Sequence, residues 1–383
     1  QQGFQPLSRD LLQEAQQHYQ RFLTQQGSDS ALRADVADTH FRLGLIKEHT
    51  DTLTAAMASY EIAEQMQRRL FERESTPASL AALSKTLAAM GRVSFRHGEL
   101  QDARGFYEEA LKLREILVQQ DDNTEHQRLL ANAEMNLGLV DKEEERFDAA
   151  RTQFDAAEQR RRDVLKELPE ALVQRDLGKG LINTAGLNLG IIKQSSANMP
   201  EDQRAELLDE AEVKINEAIK LFEQLIRDEP DNPQHQLHLA ICWQTLADVK
   251  TREGPQAALD WYGQAVPQLE DLAMSNSQLL DYQDVLAGAY MNLAQAEFRN
   301  RRTEVAVDRF HQARRAYQVL LAADESDEHR FRLALCERSI GELEAARKNF
   351  NVAKTYLSQA SQAFAALMEE FPNREDYRAH HAA

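Results

Sequence analysis

Residues 87–117 read LAAMGRVSFRHGELQDARGFYEEALKLREIL, and the spacing inside this stretch decides the fold. Met90-Gly91 sets a small residue behind a large aliphatic one; twelve residues after Gly91, Ala103 opens a second pattern, followed by Tyr107, Ala110 and Leu117. Steps of 4, 3 and 7 fall on one face of an α-helix. Gly98 lies between the two patterns and supplies the break for a turn. The stretch therefore predicts two antiparallel helices, the first small where the second must come close, the second setting alanines around one bulky knob.

The same arrangement recurs along the whole chain. Small residues behind an aliphatic stand at Gly44, Gly91, Gly138, Gly190, Ala247, Ala294 and Gly341, with spacings of 47, 47, 52, 57, 47 and 47. The matching second patterns are Ala56/Tyr60/Ala63, Ala103/Tyr107/Ala110, Ala150/Phe154/Ala157, Ala211/Ile215/Ala218, Ala258/Tyr262/Ala265, Ala306/Phe310/Ala313 and Ala353/Leu357/Ala360. Between units lie helix stops and caps such as Ser75-Thr76-Pro77, Asp121-Asp122-Asn123, Pro169 and Pro230-Asp231-Asn232-Pro233. Leu7, Leu11, Leu12, Ala15, Tyr19, Phe22 and Leu23 form one more amphipathic helix, a cap for the first pair. The organisation expected is a cap over 1–29, a solenoid over 30–371 with units 30–74, 75–121, 122–168, 169–229, 230–275, 276–323 and 324–371, and a tail or truncated repeat over 372–383. In the fourth unit the longer spacing predicts a protruding loop over Gln194 to Ala205, where Ser195, Ser196, Asn198 and Pro200 are poor helix formers. At the other end, Phe364 and Leu367 are expected to remain partly exposed, covered by the tail or by a second copy.

Composition agrees with an all-α chain. Of 383 residues 42% are hydrophobic and 28% charged, while 15 Gly and 9 Pro are too few breakers for an all-β protein of this length. Lys and Arg number 45 against 63 Asp and Glu, a net charge of −18, so a phosphate backbone is repelled on average and nucleic acid is not an expected partner. The longest uncharged stretch, Gly180 to Ile192, is shorter than the roughly 20 residues that span a bilayer, and no direct membrane insertion of this segment is expected. Two cysteines make no disulfide framework. A first residue of Gln and no visible signal peptide suggest a cut or processed chain.

The units resemble tetratricopeptide repeats, whose helix pair carries the small, Ala, aromatic, Ala series in this order. The usual period is about 34 residues and this one is 47; the additional length is nearly two turns per helix. Elongated units with Leu-Gly or Asn-Leu-Gly in the first helix resemble the repeat regions of planctomycete-type membrane-anchored serine/threonine protein kinases. The stretch Gln5-Pro6-Leu7-Ser8-Arg9-Asp10-Leu11-Leu12, then Tyr19, Phe22, Ala31-Leu32-Arg33-Ala34-Asp35 and Arg42-Leu43-Gly44, carries the same resemblance. It implies a right-handed superhelical solenoid on the extracytoplasmic side of a bacterial membrane, with a cytoplasmic location as the alternative. Neither a Gly-rich phosphate loop nor a His-Arg-Asp catalytic loop occurs in the chain, so any kinase domain is expected upstream of Gln1.

No set of convergent catalytic groups stands out, and the chain is expected to be no enzyme and to need no cofactor. His235, His238 and Cys242 have i, i+3, i+7 spacing that could hold zinc; the alternative is a turn leading into a helix with Cys242 in its core. Cys242 and Cys336 lie two units apart and are expected to be free.

The tetratricopeptide resemblance puts other positions on the inner, concave face. Two residues before the small residue stand Arg42, Asn136, Asn188 and Asn292. An amide offers both donor and acceptor and can hold an extended peptide backbone whatever its sequence; helix packing is the alternative role. Met135 and Met291 beside these asparagines could add adaptable apolar contact, and Arg92, Arg96 and Arg299, one turn further on, a locally basic groove. The expected function is a non-catalytic scaffold or sensor that binds a protein or peptide in that groove, in a kinase's repeat region or as a stand-alone scaffold. Self-association through the C-terminal end is a further expectation.

Overall fold

The structure is a computed structural model and describes residues 9–26, 32–50, 52–195, 199–276, 280–323 and 326–371. Among them the regular elements are helices alone: α1 (Arg9–Gln26), α2 (Arg33–Thr50), α3 (Leu53–Arg73), α4 (Pro77–Arg96), α5 (Leu100–Gln120), α6 (Thr124–Glu143), α7 (Phe147–Glu167), α8 (Ala171–Gln194), α9 (Glu201–Asp228), α10 (Pro233–Lys250), α11 (Pro255–Ser275), α12 (Leu280–Arg299), α13 (Thr303–Ala323), α14 (Asp327–Ala346) and α15 (Phe350–Glu370), with a 3-10 turn, Thr251–Glu253, after α10. The chain forms two compact units, Gln1–His235 and Gln236–Ala383. From α1 to α9 in the first unit and from α11 to α15 in the second, each helix packs on its neighbour in sequence, most extensively within the pairs α2–α3, α4–α5, α6–α7 and α8–α9 and within α12–α13 and α14–α15. The fold is an all-α solenoid of helix pairs, with α1 against α2.

Local chemistry places the helix ends. Thr76 caps α4 by accepting from the Ser79 amide while Ser79 Oγ accepts from the Thr76 amide, and Pro77 occupies the first turn, where its missing N–H costs nothing. Asn123 caps α6 through the His126 amide in the same way. At the hairpin inside four of the pairs, Gly98, Glu145, Arg301 and Lys348 hold positive φ of 75°, 58°, 62° and 65°. The following amides, Glu99, Arg146, Arg302 and Asn349, donate to carbonyls five residues back, at Ser94, Asp141, Glu297 and Glu344. This left-handed closure satisfies carbonyls that the ending helix leaves open.

The knob-and-gap reading holds wherever a glycine faces its knob at the regular spacing. A Cβ added to Gly44, Gly91, Gly138 or Gly341 would fall 2.4, 2.6, 2.5 or 2.7 Å from Tyr60, Tyr107, Phe154 or Leu357 respectively. The flanking alanines, Ala56, Ala63, Ala103, Ala110, Ala150 and Ala157 among them, are fully buried. The fourth pair departs from the pattern. Gly190 meets only Phe147, at 3.9 Å, and its expected partner Ile215 lies elsewhere; the glycine crowded by the second helix of this pair is Gly178, 2.8 Å from Phe222 by the same measure. The additional residues lengthen both helices, 24 residues in α8 and 28 in α9, against 20 and 21 in α4 and α5. The pair consequently meets in a different register.

The loop expected over Gln194 to Ala205 is shorter than that. Helix α8 runs through Gln194 and α9 starts at Glu201, directly after Pro200, with Glu201 and Asp202 in a first turn that favours acidic groups; residues 196–198 lie outside the described residues. Phe364 and Leu367 correct the other expectation. They are buried at 2% and 1% exposure, facing Phe331 and Ala334 of α14 rather than the outer side of α15. The tail over 372–383 lies outside the described residues.

Candidate functional site

The first helices of successive pairs in the N-terminal unit are α2, α4, α6 and α8, and α4 touches α6 as α6 touches α8. Their outward stripe carries the candidate residues. Arg42 is exposed, its Nε donating to Asp38 Oδ2 at 2.5 Å one turn before it. Arg92 spans to the neighbouring first helix: Nε lies 3.1 Å from Glu48 Oε2 and Nη2 2.5 Å from Oε1, while Arg96 Nη1 stands 3.8 Å from the same carboxylate. The Tyr60 hydroxyl also donates to Glu48. Burial pushes the Glu48 carboxyl up, but the hydrogen bonds and charge of Arg92, with Tyr60 and Arg96, outweigh it and hold the group below its ordinary value. Burial, and then the Glu48 charge, pushes the Tyr60 phenol up.

Two guanidiniums thus share one carboxylate that the sequence reading missed. Glu48 lies 44 residues from Arg92, and its only sequence signal is that it stands four residues after Gly44, where other units place Phe95, Lys142 and Phe298.

Asn136 is half-buried on α6 and makes no hydrogen bond to other described residues. Asn188 is different. It is fully buried, its Oδ1 accepting from Arg151 Nη2 at 2.5 Å and its Nδ2 donating to the Leu207 carbonyl at 3.1 Å and Glu210 Oε2 at 2.9 Å. All its capacity serves α7, α8 and α9, because the altered register of the fourth pair turns it inward. The packing alternative applies to Asn188. Met135 is likewise a core residue, packed with Ala150, Phe154 and Leu187, its sulfur accepting from Asn183 Nδ2 at 3.3 Å. Its position three residues before Gly138 faces the next pair instead of the outward stripe.

In the second unit Met291 is also core. Asn292 is half-buried near the Tyr262 phenol, whose hydroxyl donates to Asp248 Oδ1 at 2.7 Å. Arg299 is exposed at the end of α12 beside exposed Phe298, and its charge reaches Asp248. Burial holds the Asp248 carboxyl above its ordinary value despite Tyr262 and Arg299. Asp248 and Glu48 are parallel devices: each ties the knob tyrosine of its pair to a carboxylate on the first helix.

The zinc arrangement does not form. His235 is buried, with Nε2 2.8 Å from Glu229 Oε2 and 3.1 Å from Asn232 Nδ2, which closes the turn before α10. Among the described residues no three His, Cys, Asp or Glu side chains are placed to hold a metal ion. Cys242 and Cys336 are free and buried, and burial pushes both thiols up. No described helix is long and apolar enough to cross a membrane.

Comparison with known proteins places this geometry. The tetratricopeptide repeat family profile matches residues 291–363, from the second half of α12 through α13 and α14 to most of α15. The apo form of RapI superposes with a TM-score of 0.53 at 12% identity, over 87% of this chain and 99% of that one. The Rap conjugation gene regulator of plasmid pLS20, in complex with the Phr* peptide, gives 0.49 at 15% identity over 90% and 79%. A thermophilic TPR protein of Thermus thermophilus gives 0.36 at 19% identity over 66% and 97%. No curated protein sequence matches the chain. At these identities the likeness is one of fold.

Proposed function

We propose that the chain is a non-catalytic scaffold or sensor module that binds a protein or peptide segment along the first helices of its pairs. The observation that carries this reading is the makeup of that face in the N-terminal unit. Asn136 keeps an unspent amide, Arg92 and Arg96 are exposed and share one carboxylate, and half-buried Phe95, Leu139 and Ile182 offer apolar ground between them. Amides that serve any backbone, cations and scattered apolar contact together suit an extended segment. The likeness to the apo form of RapI supports the solenoid frame that carries this face.

A peptide-display selection against the whole chain tests it. Selected peptides should lose at least tenfold in affinity on Arg92→Ala or Asn136→Ala with helical content unchanged; peptides indifferent to both substitutions reject this face as the site.

We further infer, from the resemblance alone, that the module is the extracytoplasmic repeat region of a membrane-anchored serine/threonine kinase. Asn136-Leu137-Gly138 and Asn188-Leu189-Gly190 carry that resemblance. A kinase domain and an apolar segment encoded upstream of Gln1 support it, and their absence favours a stand-alone scaffold. Self-association belongs to the same reading, through the end of the chain where α15 exposes Phe350 and Val352. A mass that stays monomeric at every concentration removes it.

A further inference from the structure

One repeat position changes character between the units. It lies three residues before the leucine or valine that ends each second-helix pattern, and is occupied in turn by Gln67, Arg114, Arg161, Phe222, Leu269, Tyr317 and Phe364. All seven are buried. Later pairs fill the position with large apolar side chains, so the fold accepts them there; two consecutive pairs of the N-terminal unit bury a guanidinium instead.

Neither guanidinium has a carboxylate partner among the described residues. Arg114 donates to neutral groups, the Leu129 carbonyl at 2.8 Å and the Ser84 carbonyl and Oγ at 3.4 and 3.5 Å. Arg161 is 4% exposed, and only its Nη2 is bonded, to Asn132 Oδ1 at 2.9 Å; Nε and Nη1 are buried without partners. Nη1 lies 2.6 Å from where a Cβ on Gly180 would stand, so the backbone of α8 is open at this point to admit it. Burying a cation without a counter-ion carries a heavy desolvation cost, and the apolar residues of the later pairs avoid it.

The surface above Arg161 is short of anions. Lys179 is exposed on α8 and makes no salt bridge with described residues. Asp176 lies on the same helix, and Arg128 and Arg175 reach it at 3.2 and 3.5 Å. Glu125 is held by Arg128, Glu134 by Arg160, and Glu158 by Arg162 and Lys214. The surrounding protein first, and then the charges of Arg175, Arg161 and Arg92, hold the Lys179 ammonium below its ordinary value, opposed by Asp176. With Oδ1 of Asn132 bound to Arg161, its Nδ2 makes no bond to the described protein and remains a free donor.

We propose that this face of the N-terminal unit is an oxyanion-binding site, in which Lys179, Arg175 and the Asn132 amide backed by buried Arg161 receive a carboxylate or phosphoryl group. The inference deepens the binding reading above and rests on it only for the source of the anion. Arg161 acts through its field and through the orientation that it gives Asn132, and exposed Lys179 with half-buried Arg175 and Asn132 makes the contact. A preorganised cation in a low-dielectric surround attracts an anion more strongly than a solvated one. The retained arginine is thereby explained where a leucine or phenylalanine fits.

Isothermal titration of the whole chain at constant ionic strength tests the site, with inorganic phosphate, a hexaglutamate peptide and a hexaglutamine peptide as probes. Phosphate or hexaglutamate should bind, and bind at least tenfold more weakly to Lys179→Gln and to Arg161→Leu. Lys179 is exposed, so Lys179→Gln keeps the test decisive should Arg161→Leu fail to fold. Binding of phosphate alone identifies a phosphoryl source, and binding of hexaglutamate an acidic segment. If neither anion binds, or if anion binding is indifferent to Lys179→Gln, the site is overturned. Hexaglutamine binding without either anion would sink this inference while leaving the peptide-binding reading intact.

Discussion

A Cβ at Gly91 would stand 2.6 Å from Cε1 of Tyr107, and one at Gly190 would meet nothing closer than Phe147 at 3.9 Å. Two glycines at the same repeat position therefore have opposite roles. Gly91→Ala should destabilise by about 1–3 kcal/mol, the usual cost of overpacking a filled core. Gly190→Ala should stabilise by about 0.5–1 kcal/mol, because alanine loses less backbone entropy in a helix. Denaturant melts of the two variants decide it, and equal signs would refute the register assigned to the fourth pair.

Lys348 holds φ 65° at an exposed hairpin where Gly98 holds 75° in an earlier pair. The left-handed conformation costs an L-residue roughly 1–2 kcal/mol, partly offset in a glycine variant by the freer unfolded chain. Lys348→Gly is expected to raise the melting temperature and Gly98→Ala to lower it. A lowered melt for Lys348→Gly would show that its side chain contributes more than the backbone loses.

Asn188 and Asn136 share a repeat position and differ in burial. Asn188→Ala leaves Arg151, Glu210 and the Leu207 carbonyl without their partner and should cost about 1–3 kcal/mol. Asn136→Ala should stay within about 0.5 kcal/mol of the parent, as it breaks no hydrogen bond to the described residues. Thermal unfolding of both variants checks the pair, and a larger loss for Asn136 would reverse their assignment.

Glu48 and Asp248 should respond to pH in opposite senses. Glu48 is held below its ordinary value of 4.5, so its stabilising contribution is present above that pH and is lost as the pH falls through the lowered value. Asp248 is held above its ordinary 3.8; its ionisation opposes folding, and stability declines as the pH rises through the raised value. At pH 7, Glu48→Gln should therefore destabilise and Asp248→Asn, which keeps an acceptor for the Tyr262 hydroxyl, should stabilise. Melts of both variants between pH 3 and 7 read the signs, and a stabilising Glu48→Gln would contradict the ion pair with Arg92.

The pairs and their knobs were legible because helix faces are periodic. Gly44, Gly91, Gly138 and Gly341 each meet a bulky residue sixteen positions on, since a short hairpin between helices of constant length fixes which turns oppose each other. The caps at Thr76 and Asn123 were legible for a related reason: a cap acts within three residues of itself. The same logic failed in the fourth pair. There the additional residues joined α8 and α9 instead of the loop, and Gly178 took Phe222 as its partner. Asn188 turned inward with that slide.

Side chains that reach between pairs were not legible at all. Arg92 finds Glu48 44 residues away, and Arg161 reaches from α7 to Asn132 on α6 and lies under Gly180 on α8. The all-α repeat, its period and the residues that face each helix partner can be read from the order of residues, because they follow from contacts a few turns apart. Which amides are spent and which cations lack a counter-charge emerges from the packing of the pairs, because both depend on the rotation and axial offset of one pair against the next. No helical period encodes those quantities.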